Sequence, residues 1–202
     1  YSTDYVYDGA KSSPYVETDS TNPLSVYGKS KLAGENAIRA VGLPHLMLRT
    51  SWVYGARGKN FLRTILRLAV EREQLRVVSD QIGAPTWSRS IAEATLVALN
   101  NWNEGLSGTY HLTCAGQTSW HEFAQEIVKE YEMRYESRDW PKLRAKVAGI
   151  EAIKTAEYPT PAPRPANSRL DCTKIKHDLS VTMPDWQEAL RQVLDDPGFM
   201  PT

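Results

Sequence analysis

The sequence predicts an α/β protein, and three observations carry that expectation. Strand-like and helix-like stretches alternate through the first half of the chain. Ser2-Thr3-Asp4-Tyr5-Val6-Tyr7-Asp8-Gly9 reads as a strand end breaking into a polar loop, and Leu46-Met47-Leu48-Arg49-Thr50-Ser51-Trp52-Val53-Tyr54-Gly55 as a second strand ending the same way. Between them Tyr27-Gly28-Lys29-Ser30-Lys31 opens a helix. Strand, helix and strand form a βαβ unit whose polar residues gather at the carboxyl ends of the strands, where open parallel sheets bind ligands.

The later elements follow from spacing and caps. Asn60 caps a helix with Phe61, Leu62, Ile65, Leu66 and Ala69 on one face. Leu75 to Ser79 reads as a short strand. Ser90-Ile91-Ala92-Glu93 is a capping box, opening a helix whose inner face is expected to hold Ile91, Thr95, Ala98, Leu99 and Trp102. Thr109 to Thr113 reads as a strand after Gly108. A second capping box, Ser119-Trp120-His121-Glu122, leads into a helix with Phe123, Ile127, Val128 and Tyr131 inward. The pattern weakens from Arg134 to Thr155. Four prolines between Tyr158 and Pro165 make that stretch extended or turning. Asp185 caps a last helix that buries Trp186, Leu190, Val193 and Leu194.

Composition narrows the function. The 202 residues suffice for one domain or parts of two. Lys plus Arg (24) equals Asp plus Glu (24), and no long basic run exists, which argues against a nucleic-acid partner. A few local arginines still suit an anionic nucleotide. No apolar run approaches the ~20 residues of a membrane span. Cys114 and Cys172 share no metal spacing and read as reduced thiols, so a cytoplasmic protein is expected. His45, His111, His121 and His177 are scattered, and structural roles are expected of them.

A tyrosine and a lysine four residues apart share a helix face. An ammonium near a phenol favours the phenolate and suits the tyrosine to proton transfer. The motif gains weight from its neighbours. Ser2-Thr3-Asp4-Tyr5-Val6, Tyr27-Gly28-Lys29-Ser30-Lys31-Leu32-Ala33-Gly34-Glu35 and Arg49-Thr50-Ser51-Trp52-Val53-Tyr54 resemble the extended short-chain dehydrogenase/reductases. With Asp80-Gln81-Ile82-Gly83-Ala84-Pro85-Thr86 and Arg164-Pro165-Ala166-Asn167-Ser168-Arg169-Leu170 they are most similar, within that superfamily, to the dTDP-4-dehydrorhamnose reductase family.

The resemblance implies a partial Rossmann-like sheet plus a smaller α/β substrate-binding domain. Residues 1–55 would be the remnant of a dinucleotide-binding domain carrying the catalytic helix. Residues 56–202 would be mainly the sugar-nucleotide domain, with segments such as 88–114 returning to the sheet. It implies NADPH or NADH as cofactor and a dTDP-sugar as substrate, and it allows a homodimer. Tyr27 would donate a proton to a ketone oxygen, Lys31 would assist it and bind the nicotinamide ribose, and Thr3 would offer its hydroxyl to the substrate. Asp4, Trp52, Pro85, Thr86, Arg164, Asn167 and Ser168 would contact the sugar nucleotide, Trp52 through a flat apolar face. Arg49 is expected to support its strand.

Two departures are informative. No Gly-rich turn follows a strand, so the chain is expected to be the C-terminal part of a longer enzyme. Arg89 stands where a metal-bridging acid of the family would be expected, which puts Mg2+ in doubt and leaves no metal site expected. The alternatives are a sugar-nucleotide epimerase or dehydratase of the same superfamily, or a non-catalytic regulatory relative. Tyr5, not Glu, follows Thr3-Asp4, which weighs against a dehydratase.

Overall fold

The computed structural model describes residues 1–201. Strand β1 (Ser2–Thr3) runs into helix α1 (Val26–Val41) and strand β2 (Leu46–Thr50), and β1 and β2 pair in parallel with Ser2 opposite Arg49 and Thr3 opposite Thr50. Strand β7 (Gly108–His111) joins the other edge of β2, also in parallel, so the sheet order is β1-β2-β7. The intervening elements build a second layer set: β3 (Val53–Tyr54), α2 (Phe61–Glu71), β4 (Leu75–Val78), β5 (Ile82–Gly83), β6 (Thr86–Trp87) and α3 (Ser88–Asn101). After β7 come β8 (Thr118–Ser119), α4 (Trp120–Glu132), β9 (Ile150–Ile153), α5 (Thr173–Leu179) and α6 (Trp186–Asp195). Strands β4 and β9 pair in parallel, as do β3 and β6, while β5 and β8 are antiparallel. The molecule is α/β.

Local chemistry sets the ends of the helices. The Ser25 hydroxyl accepts from Gly28 N, and Gly42 closes α1 at φ 72°, a conformation that costs glycine nothing. Ser119 and Glu122 form the reciprocal capping box of α4, and Asn60 and Asp185 cap α2 and α6. One apolar core joins α2, α4 and α6, with Leu62, Leu66, Phe123, Ile127, Val128, Leu190 and Val193 fully buried. A second lies between the sheet and α3 and α5.

Three expectations need correction. Ser90 does not cap α3, which begins at Ser88 behind Trp87 without a side-chain cap; Glu93 pairs with Arg89 instead. Leu99 is 54% exposed, because Ala94 takes the inward position between Ile91 and Ala98. Strand β9 lies inside the weakly patterned stretch. Its order of burial is in, out, out, in, which breaks the period of two that reveals a strand.

Candidate active site

Helix α1 reaches the site through a close approach. A Cβ on Gly28 would lie 2.2 Å from the Tyr5 carbonyl oxygen, so only glycine lets the helix start rest on the turn Asp4–Val6 that follows β1. That contact brings Tyr27 edge-on to Tyr5, with ring centroids 5.7 Å apart. Further along, α1 is fixed by a buried ion pair. Arg49 on β2 donates from Nε and Nη2 to the two Glu35 oxygens at 2.8 and 2.6 Å, both side chains being almost wholly buried. Arg49 Nη1 donates to the Tyr7 hydroxyl at 2.6 Å, which lies 2.9 Å from His111 Nε2. Burial acts to raise the Glu35 carboxyl, but the hydrogen bonds and charge of Arg49, together with the nearby Ser2 hydroxyl and a hydrogen bond from Arg39, outweigh it and hold it at about 2. Burial, reinforced by the Arg49 charge, lowers His111 to about 4. Arg49 therefore supports its strand, as expected, and also ties the helix to it.

A cleft of about 660 Å³ opens beside this seat, lined by Thr3, Asp4, Tyr5, Tyr27, Thr50, Ser51, Trp52 and Arg164 among others. Four of the buried oxygens of its lining residues lack a well-formed hydrogen bond: Ser2 Oγ, Asp4 Oδ2, Thr50 Oγ1 and Ser51 Oγ. Buried polar groups are ordinarily paired, so a cluster of unpaired ones at two strand ends marks a place where a ligand completes the bonding. Thr3 Oγ1 accepts from Tyr5 N at 3.3 Å and donates to Asp4 Oδ1 at 3.1 Å. Burial pushes the Asp4 carboxyl up to about 6, with the hydroxyls of Ser168 and Thr3 pulling back only in part. Tyr27 is open to solvent at the cleft mouth.

A second cleft of about 620 Å³ is lined by Phe61, Ile65, Arg72, Val77, Trp120, Tyr158 and Arg164. Arg164 borders both clefts. The wall between them includes a tryptophan pair: Trp52 and Trp120 stack with centroids 3.5 Å apart and planes 11° apart. Trp52 has φ 48°, uncommon for a bulky side chain. A Cβ on Gly83 would lie 2.5 Å from Trp52 Cε2. A ring-fusion carbon is approached only through a ring face, and the face toward Trp120 has no room for a third layer. Both faces of Trp52 are covered, and what it offers the cleft is the edge of the indole, not the flat face the sequence suggested.

Other expected site residues are placed differently. Lys31 Nζ donates to the Tyr1 carbonyl at 2.7 Å, since the start of β1 lies within its reach, and two of its three donors remain. Pro85 and Thr86 are buried and line neither cleft; the Thr86 hydroxyl donates to Ala84 O and accepts from Cys114 N. The Asn167 amide donates to the carbonyls of Lys11 and Ser13 and accepts from Arg169, so it fastens the C-terminal segment to the first loop and has no polar atom left for a sugar. Ser168 is buried beside Asp4. Tyr5 and Trp120 are site residues that the sequence did not single out. Tyr5 was within reach, as it directly follows Thr3-Asp4; Trp120 was masked as part of a capping box.

Arg89 pairs with Glu93 at 2.9 Å and Asp196 at 3.0 Å, so a guanidinium already matches these carboxylates. Among the described residues, no three His, Cys, Asp or Glu side chains gather as metal ligands would. No helix there is long and apolar enough to cross a membrane.

A dTDP-4-dehydrorhamnose reductase of Burkholderia thailandensis is 51% identical over 197 residues, covering 94% of this chain and 64% of the relative. One of Escherichia coli is 42% identical, with 97% and 64% covered. The chain thus spans 64% of the length of these curated relatives. Among solved structures, a dTDP-4-dehydrorhamnose reductase of Clostridium acetobutylicum superposes with a TM-score of 0.84 at 35% identity, over 96% of this chain and 63% of that one. One of Bacillus anthracis, in complex with NADP, gives 0.82 at 32% identity with the same coverage. The family model for the RmlD substrate binding domain matches residues 1–198. The chain belongs to the RmlD substrate binding domain family.

Proposed function

We propose that this chain is the substrate-binding and proton-donating part of a reductase that converts dTDP-4-dehydro-β-L-rhamnose to dTDP-β-L-rhamnose with NADPH or NADH. The observation that carries the reading is the set of unpaired buried oxygens of Ser2, Asp4, Thr50 and Ser51, gathered in the cleft that Tyr27 and Thr3 also line. A polar sugar ring satisfies such atoms; an apolar ligand leaves them stranded. Residues 1–55 would carry the catalytic helix and residues 56–202 mainly the sugar-nucleotide lobe, with β7 of the 88–114 segment completing the sheet.

The deoxysugar would lie in the first cleft and the thymidine in the second, against Phe61 and Trp120. Arg164, which borders both clefts and forms no ion pair among the described residues, would hold the diphosphate between them. The open helix face of Tyr27 and Lys31 fits the nicotinamide ribose: a phenol and an ammonium with two spare donors stand one turn apart. A reduced nicotinamide held there would supply hydride to the carbonyl carbon. Tyr27 gives its proton to the ketone oxygen, which avoids leaving an alkoxide in a dry site. Lys31 orients the ribose, and Trp52 meets the sugar with its indole edge.

The test uses the whole gene product. Loss of reduced-nicotinamide absorbance should require the 4-keto sugar nucleotide, and Tyr27→Phe should lower turnover ~10²-fold or more while changing affinity far less. Absence of substrate-dependent oxidation overturns the reading.

A further inference from the structure

We propose that Asp4 is a positioning residue that sets the polarity of the Thr3 hydroxyl, its protonated form favouring the ketone and its ionised form the alcohol; this rests on the reading of the first cleft as a ketone-reducing site.

The Thr3 hydroxyl has one hydrogen and two lone pairs. One lone pair accepts from Tyr5 N at 3.3 Å, and the hydrogen goes to Asp4 Oδ1 at 3.1 Å. With Asp4 ionised, what remains for a ligand is a single lone pair. A carbonyl oxygen also brings only lone pairs, so the two repel, whereas an alcohol O–H fits. When Asp4 holds a proton on Oδ1, the direction reverses. Asp4 donates to Thr3 Oγ1, both Thr3 lone pairs are filled, and the Thr3 hydrogen is released toward the cleft, where it meets a carbonyl oxygen.

The surroundings make that exchange accessible. Asp4 is 3% exposed, and its Oδ2 makes no well-formed hydrogen bond although the Ser168 hydroxyl lies beside the carboxyl, so its charge is only partly compensated. Burial accordingly brings its titration to about 6. The groups that face it are the hydroxyls of Thr3 and Ser168 and the Tyr5 phenol on its own turn; the Tyr27 phenol from α1 and Arg164 from the C-terminal segment line the same cleft and act on Tyr5. Burial pushes the Tyr5 phenol above its ordinary range, so it stays neutral near that pH. Asp4 is the group that changes.

The experiment is calorimetric titration of the whole gene product with the ketone and, separately, the alcohol form of the sugar nucleotide, from about pH 5 to about pH 8. Ketone affinity should weaken and alcohol affinity tighten through about pH 6, each by up to about tenfold, the effect of one proton-coupled pK change of that size. Asp4→Asn should flatten both slopes. Thr3→Val, which keeps the shape and removes the hydroxyl, should flatten them too and serves if Asp4→Asn does not fold. Parallel or flat slopes in the unaltered protein overturn the proposal and leave the reductase reading standing. Failure to bind either sugar nucleotide at any pH overturns both.

Discussion

Around α1 the buried groups are polar or charged, whereas around α4 they are mostly carbon, with Glu130, paired to Arg134 and Arg191, the one buried carboxylate of that helix. Helix α1 buries only Gly28 and Glu35 among its 16 residues, and Val26, Ile38 and Val41 on it are exposed. Helix α4 buries Phe123, Ala124, Ile127, Val128 and Tyr131 completely, against α2 and α6. Each large apolar side chain buried there is worth about 1.5–3 kcal/mol. The Glu35–Arg49 pair returns far less net stability, because desolvation cancels most of its attraction. Its value is directional. Two parallel hydrogen bonds fix the height and rotation of α1, and with them the place of Tyr27. The apolar lobe makes the molecule stable; the polar seat makes the site accurate.

The strongest way to break this comparison is to remove one member from each side. Phe123→Ala should cost about 3–5 kcal/mol and lower the urea midpoint of the whole chain, because the cavity lies in the shared core. Glu35→Ala should cost a similar 3–5 kcal/mol by leaving the Arg49 charge buried and unpaired. Its damage should be local: hydrogen exchange should rise in α1 and β2 and stay low in α4. Equal exchange in both helices would show that the lobes do not differ. The double replacement Glu35→Leu with Arg49→Met sharpens the point. It should recover stability to within about 1–2 kcal/mol, yet turnover should stay low, because apolar packing does not restore the helix orientation.

A smaller effect comes from the approach of α1 to the Asp4–Val6 turn. Gly28→Ala places a methyl against the Tyr5 carbonyl, a backbone atom that cannot swing away. A cost of about 1–3 kcal/mol is expected from such overpacking. The displacement would carry Tyr27 from Thr3, so turnover should fall more than stability does. Unchanged turnover would mean that the helix start tolerates a shift.

The same contrast explains what was legible in the sequence. The βαβ unit, the Tyr27 and Lys31 face and the strand-end residues Thr3 and Asp4 are local patterns, readable from periodicity and neighbouring motifs. So were the apolar faces of α2, α4 and α6. The network of Glu35, Arg49, Tyr7 and His111 was not, since its members come from different elements and no spacing links them. Trp52 shows the limit most clearly. Its position at a strand end was readable, but Trp120 and Gly83, which cover its faces, arrive from distant segments. Thr86 and Asn167 look like ligand groups in a polar motif until their hydrogen bonds are found inside the fold. Helix α5 was missed because its seven residues bury only Ile175 and Leu179, too little for a pattern.

The subtlest test is acid stability, where three buried groups of the polar side act with different signs. His111 titrates at about 4 in the fold against 6.5 ordinarily, so between those values only the unfolded chain holds its proton. Stability is lost as the pH falls through that window. Asp4 titrates at about 6 against 3.8, so there only the folded chain holds the proton, and stability is gained as the pH falls. Each effect amounts to about 3 kcal/mol at full extent, and the windows overlap, so they nearly cancel. Glu35, lowered from 4.5 to about 2, contributes stability above its ordinary value that is lost as the pH falls through about 2. The expected urea stability is therefore flat to about 1 kcal/mol between roughly pH 6.5 and 4.5 and declines below that. Asp4→Asn removes the compensating gain, so its stability should already fall by about 3 kcal/mol between pH 6.5 and 4 as His111 is left unopposed. A variant profile that superimposes on the unaltered one would show that Asp4 does not titrate in this window, and that the polar seat is less charged than its geometry indicates.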